Sequence, residues 1–211
     1  MTAQKRDFAT QPYVILAALS FDETGDSALR EATQVAEGNP ASELHLVHVV
    51  VEQGPTETNS DLLSLDKRLT RAPEEIKQRV DALWKDNPRK VIAHLRAGIP
   101  AHSILQTAVD LDADLIVVGS HQRAGMEKLM LGSVAEHVLR HAHCPVLVAV
   151  PKNYAGKTKS QSIEPPCPDC VATRTKTHGD KFWCERHLRT YAQPHVYEPS
   201  PRQRESLMPS Q

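Results

Sequence analysis

The stretch ADLIVVGSHQRAGMEKLMLGSVAEHVLRHAHCPVLVAVP (113–151) decides the fold. Its first eight residues, ADLIVVGS (113–120), read as a strand with the apolar centre LIVV. A loop follows, then a short helix from Ser133 to Ala142. CPVLVAVP (144–151) is a second apolar strand. Read upstream, the same alternation recurs. Pro100 opens a helix with Ala101, Ile104, Leu105 and Ala108 on one stripe, and KVIAHLRAG (90–98) precedes it as a strand. Residues 61–85 are helical in tendency, with Ile76, Val80, Leu83 and Trp84 on one face and Pro73 suiting a break or a fresh first turn. ELHLVHVVV (43–51) and YVILAALS (13–20) are two more strands. Between them Ala28, Ala32, Val35 and Ala36 share a helical stripe that Gly38, Asn39 and Pro40 end. Five apolar strands joined by helical crossovers imply a parallel, doubly wound α/β sheet. Ligands in such sheets bind beyond the carboxyl ends of the strands, where strand order reverses.

The chain has 211 residues, and its two parts differ in composition. Residues 1–151 hold 15 Lys+Arg against 20 Asp+Glu, net −5, whereas residues 152–211 hold 10 against 6, net +4. The later part also carries three of the four cysteines and five of the nine aromatics (Tyr154, Phe182, Trp183, Tyr191, Tyr197), so a boundary falls near 152. We expect a flexible N-terminus (1–11), an α/β domain (12–151), an exposed linker (152–166) closed by Pro165 and Pro166, a small module (167–198) and a disordered tail (199–211). No apolar run approaches the ~18–20 residues of a spanning helix. No apolar stretch follows the basic residues of MTAQKRDFATQP, so a cytoplasmic protein without membrane contact is expected. Ten basic residues spread among six acids make a weak footprint for nucleic acid.

GSHQRAGMEKLMLGSVAEHVLRHAHCPVLVAVP (119–151), with RAGIPAHSIL (96–105) and ADLIVVGSH (113–121) before it, resembles the universal stress protein family in order and spacing. The resemblance spans roughly residues 12–151. It implies the adenine nucleotide alpha hydrolase-like sheet, strand order 3-2-1-4-5, and ATP binding through G-x2-G-x9-G-[ST]. It also implies a homodimer through the last strand.

On the residues themselves, Gly119 ends a strand and lets the backbone turn closely past a ligand. Gly132, Ser133 and Val134 start a helix whose N–H groups and positive dipole end can hold phosphate. Two positions depart from the family pattern. Gln122 stands where a second glycine is called for, with Gly125 three residues late. Ser20 takes the place of an acidic residue at the end of the first strand, with Asp22 two further on. Gln122 could crowd a triphosphate or bond it, Arg123 could pair a phosphate, and His121 is either a ligand contact or an exposed side chain. S-V-A-E (133–136) also reads as a capping box, Ser133 capping and Glu136 reaching back, which needs no nucleotide. No positioned general base is visible, and the loop's acids are limited to Glu127, so no enzyme is expected; weak ATP hydrolysis stays open.

C-P-D-C (167–170) and, after thirteen residues, C-E-R-H (184–187) have the spacing of two zinc knuckles. Each two-residue gap lets both ligands face one ion. Cys167, Cys170, Cys184 and His187 around Zn²⁺ would close a tetrahedral, structural site of formal charge −1, eased by Lys181, Arg186 and Arg189. So small a segment gains from a metal staple, and Phe182 and Trp183 would cover one side. A redox CxxC fits less well, because Pro165 and Pro166 precede it in place of a strand. His178 and His195 are the spare fourth ligands; His178 lies in T-H-G-D, read as a hairpin turn between short strands in a zinc-ribbon-like module. Cys144 reads as a small thiol opening a strand, close in sequence to His141 and His143, and His45 and His48 lie on opposite faces of theirs. The leading function is a stress-response protein holding a nucleotide, its zinc module touching an unknown protein partner. A dimeric scaffold without nucleotide and a nucleic-acid-associated protein are the alternatives.

Overall fold

A computed structural model describes residues 11–51, 59–84, 87, 89–120, 131–150 and 166–190, those at 59–64 by backbone alone. The chain divides into two compact units, residues 1–152 and 153–211.

Unit one alternates strand and helix: β1 (Tyr13–Ala18), α1 (Glu23–Glu37), β2 (Ser42–Val51), α2 (Asn59–Trp84), β3 (Val91–Gly98), α3 (Pro100–Asp110), β4 (Leu115–Gly119), α4 (Ser133–His141) and β5 (Val146–Ala149). All neighbouring strands pair in parallel, in the order β3-β2-β1-β4-β5. The inner strands β1 and β4 read as unbroken apolar runs because each face is covered. Ile15, Ala17, Leu44, Leu46, Leu115 and Val117 pack against Ala28, Leu29, Ala32 and Ala36 of α1 and Ile76 and Trp84 of α2. Val14, Leu16, Val47, Ile116 and Val118 face the other way, onto Ala101, Ile104 and Ala108 of α3 and Ala135 and Val138 of α4. Ile15, Leu16, Leu46, Ile116 and Val117 are fully buried. Each such side chain contributes about 1.5–3 kcal/mol relative to exposure.

Two local readings are corrected here. Pro73 neither breaks α2 nor starts a new helix; α2 runs through it. The proline costs one i→i−4 bond, at the Leu69 carbonyl, and buried Ala72 and Ile76 on either side hold the helix against the sheet. Nor does Ser133 cap α4. Gly132 is the cap residue, without a side-chain bond, and Glu136 turns outward to Arg140 at 2.7 Å, an i,i+4 pair that removes it from any capping box.

Unit two is helical where it is described. α5 (Pro168–Lys176) and α6 (Glu185–Leu188) flank a turn, and no strand occurs among residues 166–190. The T-H-G-D hairpin is therefore replaced by a helix end. His178 (φ 51°) and Gly179 (φ 95°) are both left-handed. The Gly179 N–H donates to the Arg174 carbonyl and the His178 N–H to that of Thr175, the paired bonds of a Schellman C-cap. No helix among the described residues is long and apolar enough to cross a membrane.

Candidate functional sites

In unit one, β1 leads to β2 on one side and β3 crosses over to β4 on the other, so strand order reverses between β1 and β4. A crevice of about 290 Å³ opens at their carboxyl ends, lined by Leu19, Ser20, Asp22 and Thr24, by His48 and Val49, by Gly119, and by Gly132, Ser133 and Val134. This is where a doubly wound sheet holds its ligand. Five of the eight sequence-chosen residues (Ser20, Gly119, Gly132, Ser133, Val134) meet there; His121, Gln122 and Arg123 lie outside the described residues.

Two helix N-termini meet at this crevice, and they differ. At α1, the Asp22 carboxylate accepts from the Thr24 and Gly25 amides at 3.0 and 3.1 Å, and from the Ser20 hydroxyl at 2.6 Å. That end is already neutralised by a resident anion, and Ser20 brings the acidic group to the crevice through one hydrogen bond. At α4, the first helical bond is Glu136 N–H to the Gly132 carbonyl. The amides of Ser133, Val134 and Ala135 thus lie at an end that no side chain caps. Gly119 has a stricter role than a turn past a ligand. A Cβ there would collide with the carbonyl and methyl of Thr24, so the glycine lets α1 sit directly on the end of β4.

The sequence placed His48 by its face alone. Its Nδ1 donates to the Leu19 carbonyl at 2.8 Å, an assignment the carbonyl dictates since it can only accept. Nε2 is then the ring's acceptor. The ring stacks on Phe21 at 3.9 Å, and the Arg79 guanidinium lies 5.0 Å from the Phe21 centroid. The one available signal was a histidine inside the apolar LVHVVV end of its strand.

In unit two, Cys167, Cys170, Cys184 and His187 place their ligand atoms within 4.8 Å of one another. Cys167 is the N-cap of α5 and Cys184 that of α6, with Cys170 and His187 three residues on, so each helix start turns two ligands to one side. His187 Nδ1 lies 3.1 Å from the Cys170 sulfur and 3.6 Å from that of Cys184, and the Cys184 amide donates to Cys170 Sγ at 3.4 Å. Cys170 and Cys184 are buried. Arg186 reaches Cys167 Sγ at 3.7 Å. The Cys170 amide, and further donors including Arg186, hold the Cys167 thiol below its ordinary pKa. Cys170 accepts the Cys184 amide, which lowers its pKa, but lost hydration and the neighbouring sulfurs raise it on balance. A tetrahedron with ~2.3 Å metal–sulfur bonds has edges of ~3.8 Å, so four donors this close fit one ion. His178 sits in the C-cap of α5 outside the cluster, and His195 lies outside the described residues. Trp183 is partly buried near the cluster in sequence, while Phe182 is exposed. Cys144 stays apart against the unit-one core, its thiol pushed up first by burial and then by Asp114 and Asp112.

Unit one is a doubly wound α/β domain with an open helix terminus at its switch-point crevice. The Universal stress protein family model matches residues 14–150, and the chain belongs to that family. Universal stress protein MJ0531 of Methanocaldococcus jannaschii is 37% identical over 94 residues, 44% of this chain and 54% of that protein. The match thus spans about half the length of that relative. Universal stress protein MJ0577 of the same organism is 30% identical over 66% of this chain and 95% of its own. The solved structure of MJ0577 superposes with a TM-score of 0.57 at 29% identity, covering 68% of this chain and 99% of that one. A universal stress protein solved in complex with cAMP shares the fold at 17% identity and TM-score 0.50, over 67% of this chain and 98% of that one. The family model ends before the Cys/His cluster.

Proposed function

We propose that this chain is a non-enzymatic, cytoplasmic stress-response protein whose first unit binds an adenine nucleotide such as ATP and whose second unit is stapled by Zn²⁺ for contact with a protein partner. The observation that supports the nucleotide most is the uncapped N-terminus of α4, with Gly132 and Ser133 at the crevice. Three amides and a helix dipole there await an anion, while the other helix end in the crevice already has its carboxylate. That asymmetry gives a phosphate one place to go. The strand ends, the Ser20–Asp22 pair and His48 supply walls and polar groups around the rest. The three thiolates and one imidazole of unit two suit zinc by donor type and count. When bound, the ion would tie the starts of α5 and α6 together. A closed donor set of four leaves no open position for chemistry, so this role is structural.

Calorimetric titration of the full chain with ATP tests the first part. Binding is expected in the unchanged protein. Ser133→Glu places a carboxylate among the open amides and should weaken it about tenfold or more, some 1.4 kcal/mol. Absence of ATP binding by the unchanged chain would overturn the nucleotide reading and favour an empty-crevice scaffold.

The proposed homodimer pairs β5 with its counterpart. Ile116 and Ser120 donate to the carbonyls of Pro145 and Ala149. Odd-numbered residues of β5 thus face β4, and Val146 and Val148 present their backbone groups to the open edge. An unprotected apolar edge invites pairing. Val148→Pro removes an edge-side donor without touching the β4 ladder. Sedimentation should show the unchanged chain as a dimer and this variant as a folded monomer; a monomeric unchanged chain at micromolar concentration would refute the interface.

A further inference from the structure

We infer that His102, His137 and His141 form a second transition-metal site, on the paired helices α3 and α4 of unit one, for a borderline divalent ion such as Ni²⁺, Cu²⁺ or Zn²⁺.

His137 and His141 are one helical turn apart on α4, so both imidazoles leave the same side of the helix. Their rings lie 4.2 Å apart at 26°. His102, near the start of α3, brings a third ring to 5.2 Å from His137. Three imidazoles from two packed helices are thus gathered in one exposed to half-buried patch. Imidazole is the donor that zinc, copper and nickel share.

The hydrogen bonding of His141 points the same way. Its Nδ1 lies 2.8 Å from the His137 carbonyl. A carbonyl can only accept, so Nδ1 carries the proton and Nε2 keeps its lone pair. A backbone carbonyl bound to one ring nitrogen while the other faces outward is the usual support of a metal-ligating histidine. The field also suits a cation. His141 is the last residue of α4, at the negative end of the helix dipole. His102 and His141 both line a groove of about 720 Å³ to which Asp112 adds a carboxylate and His143 a further imidazole, with His137 beside it. Arg140, the nearest cation in sequence, is engaged with Glu136 on the next turn. Closing the three nitrogens on one ion takes a rotation of exposed rings, a motion of picoseconds to nanoseconds.

A purely structural stack of three imidazoles would hold no metal, which makes the two roles separable. The full chain carrying Cys167→Ser, Cys170→Ser and Cys184→Ser removes the thiolate cluster of unit two and leaves the core of unit one unchanged. Titrated calorimetrically with Ni²⁺ at neutral pH, it should bind one ion per chain. His137→Ala or His141→Ala in that background should weaken binding at least tenfold. His102→Gln should weaken it by a smaller factor, and His178→Ala, in the other unit, should leave it unchanged. Far-ultraviolet circular dichroism should be alike in all variants, since none of these rings lies in the core. No Ni²⁺ binding by the parent, or binding unmoved by both His137→Ala and His141→Ala, would overturn the site.

Discussion

Gly119→Ala should melt unit one far below the unchanged protein. The added Cβ would meet the backbone carbonyl of Thr24 and its methyl group. A flexible side chain could swing away from such a contact, but a carbonyl in the first turn of a helix cannot. α1 is held in place from several directions. Asp22 caps it at Thr24 and Gly25, and Gly25 itself abuts the backbone of Ser20. Ala28, Leu29, Ala32 and Ala36 are buried along its length. The whole helix would have to lift from β4. Overpacking costs about 1–3 kcal/mol where neighbours can adjust, and backbone against backbone sits at the upper end. At about 2–4 °C per kcal/mol for a chain of this size, a loss near 3 kcal/mol lowers Tm by roughly 6–12 °C. Gly38→Ala is the control. Its Cβ would lie 3.6 Å from the Gln34 and Val35 carbonyls, ordinary contacts, at a φ of −69° that any residue adopts. Thermal melts followed by circular dichroism should separate the two glycines. Equal melting temperatures would mean that α1 does not sit on β4 as described. Because Ser20, Thr24 and Gly119 share the crevice, ATP affinity should fall with Gly119→Ala as well.

The same packing explains which parts of the molecule the sequence revealed. Strands β1 and β4 are covered on both faces, so burial wrote continuous apolar runs into the chain. Strand order was legible only through the family resemblance, because which strands adjoin is a non-local fact that periodicity does not carry. Helix α5 escaped notice for a related reason. It buries only Cys170, so no apolar stripe marks it, and its closing His178-Gly179 pair has the same left-handed chemistry as a hairpin turn. S-V-A-E satisfied a capping pattern, yet Glu136 had a second partner in Arg140, and the i,i+4 ion pair prevailed. The zinc-type spacing was readable because both ligand pairs are local. His187 ranked above His178 on spacing, and its Nδ1 lies 3.1 Å from the Cys170 sulfur. The histidine triad was not readable, since His102 meets His137 only once α3 and α4 have packed. In the sequence His141 pairs more naturally with His143 and Cys144.

Cys184→Ser should strip the metal from unit two and expose it to protease while unit one remains intact. The substitution is selective. The Cys184 amide, which donates to Cys170 Sγ, belongs to the backbone and survives. What is lost is a thiolate in a set of four whose atoms lie within 4.8 Å of one another. Beyond Cys170 and Cys184, residues 166–190 bury almost nothing, so no apolar core offsets the entropy of ordering the segment. Metal binding is then folding free energy, on the order of 10 kcal/mol for structural zinc near neutral pH. Removing one of four ligands forfeits enough of it to leave the segment unfolded at ordinary zinc concentrations. Unit one has its own core and does not share that dependence. Mass spectrometry under native conditions should find one Zn²⁺ on the unchanged chain and none on Cys184→Ser. Limited proteolysis should then cut within 167–187 and spare the α/β domain. His187→Ala should weaken the metal markedly, whereas His178→Ala should leave its affinity unchanged, since that residue closes α5 through its backbone N–H, outside the cluster. Acid should mimic the cysteine variant. Binding requires three thiolates, protons compete for them, and so affinity falls as pH falls. A purified chain with all its thiols titrating freely, no zinc, and a second unit protease-sensitive from the outset would overturn the metal staple and the partner-binding module built on it, leaving the nucleotide crevice of unit one to be judged by its own titration.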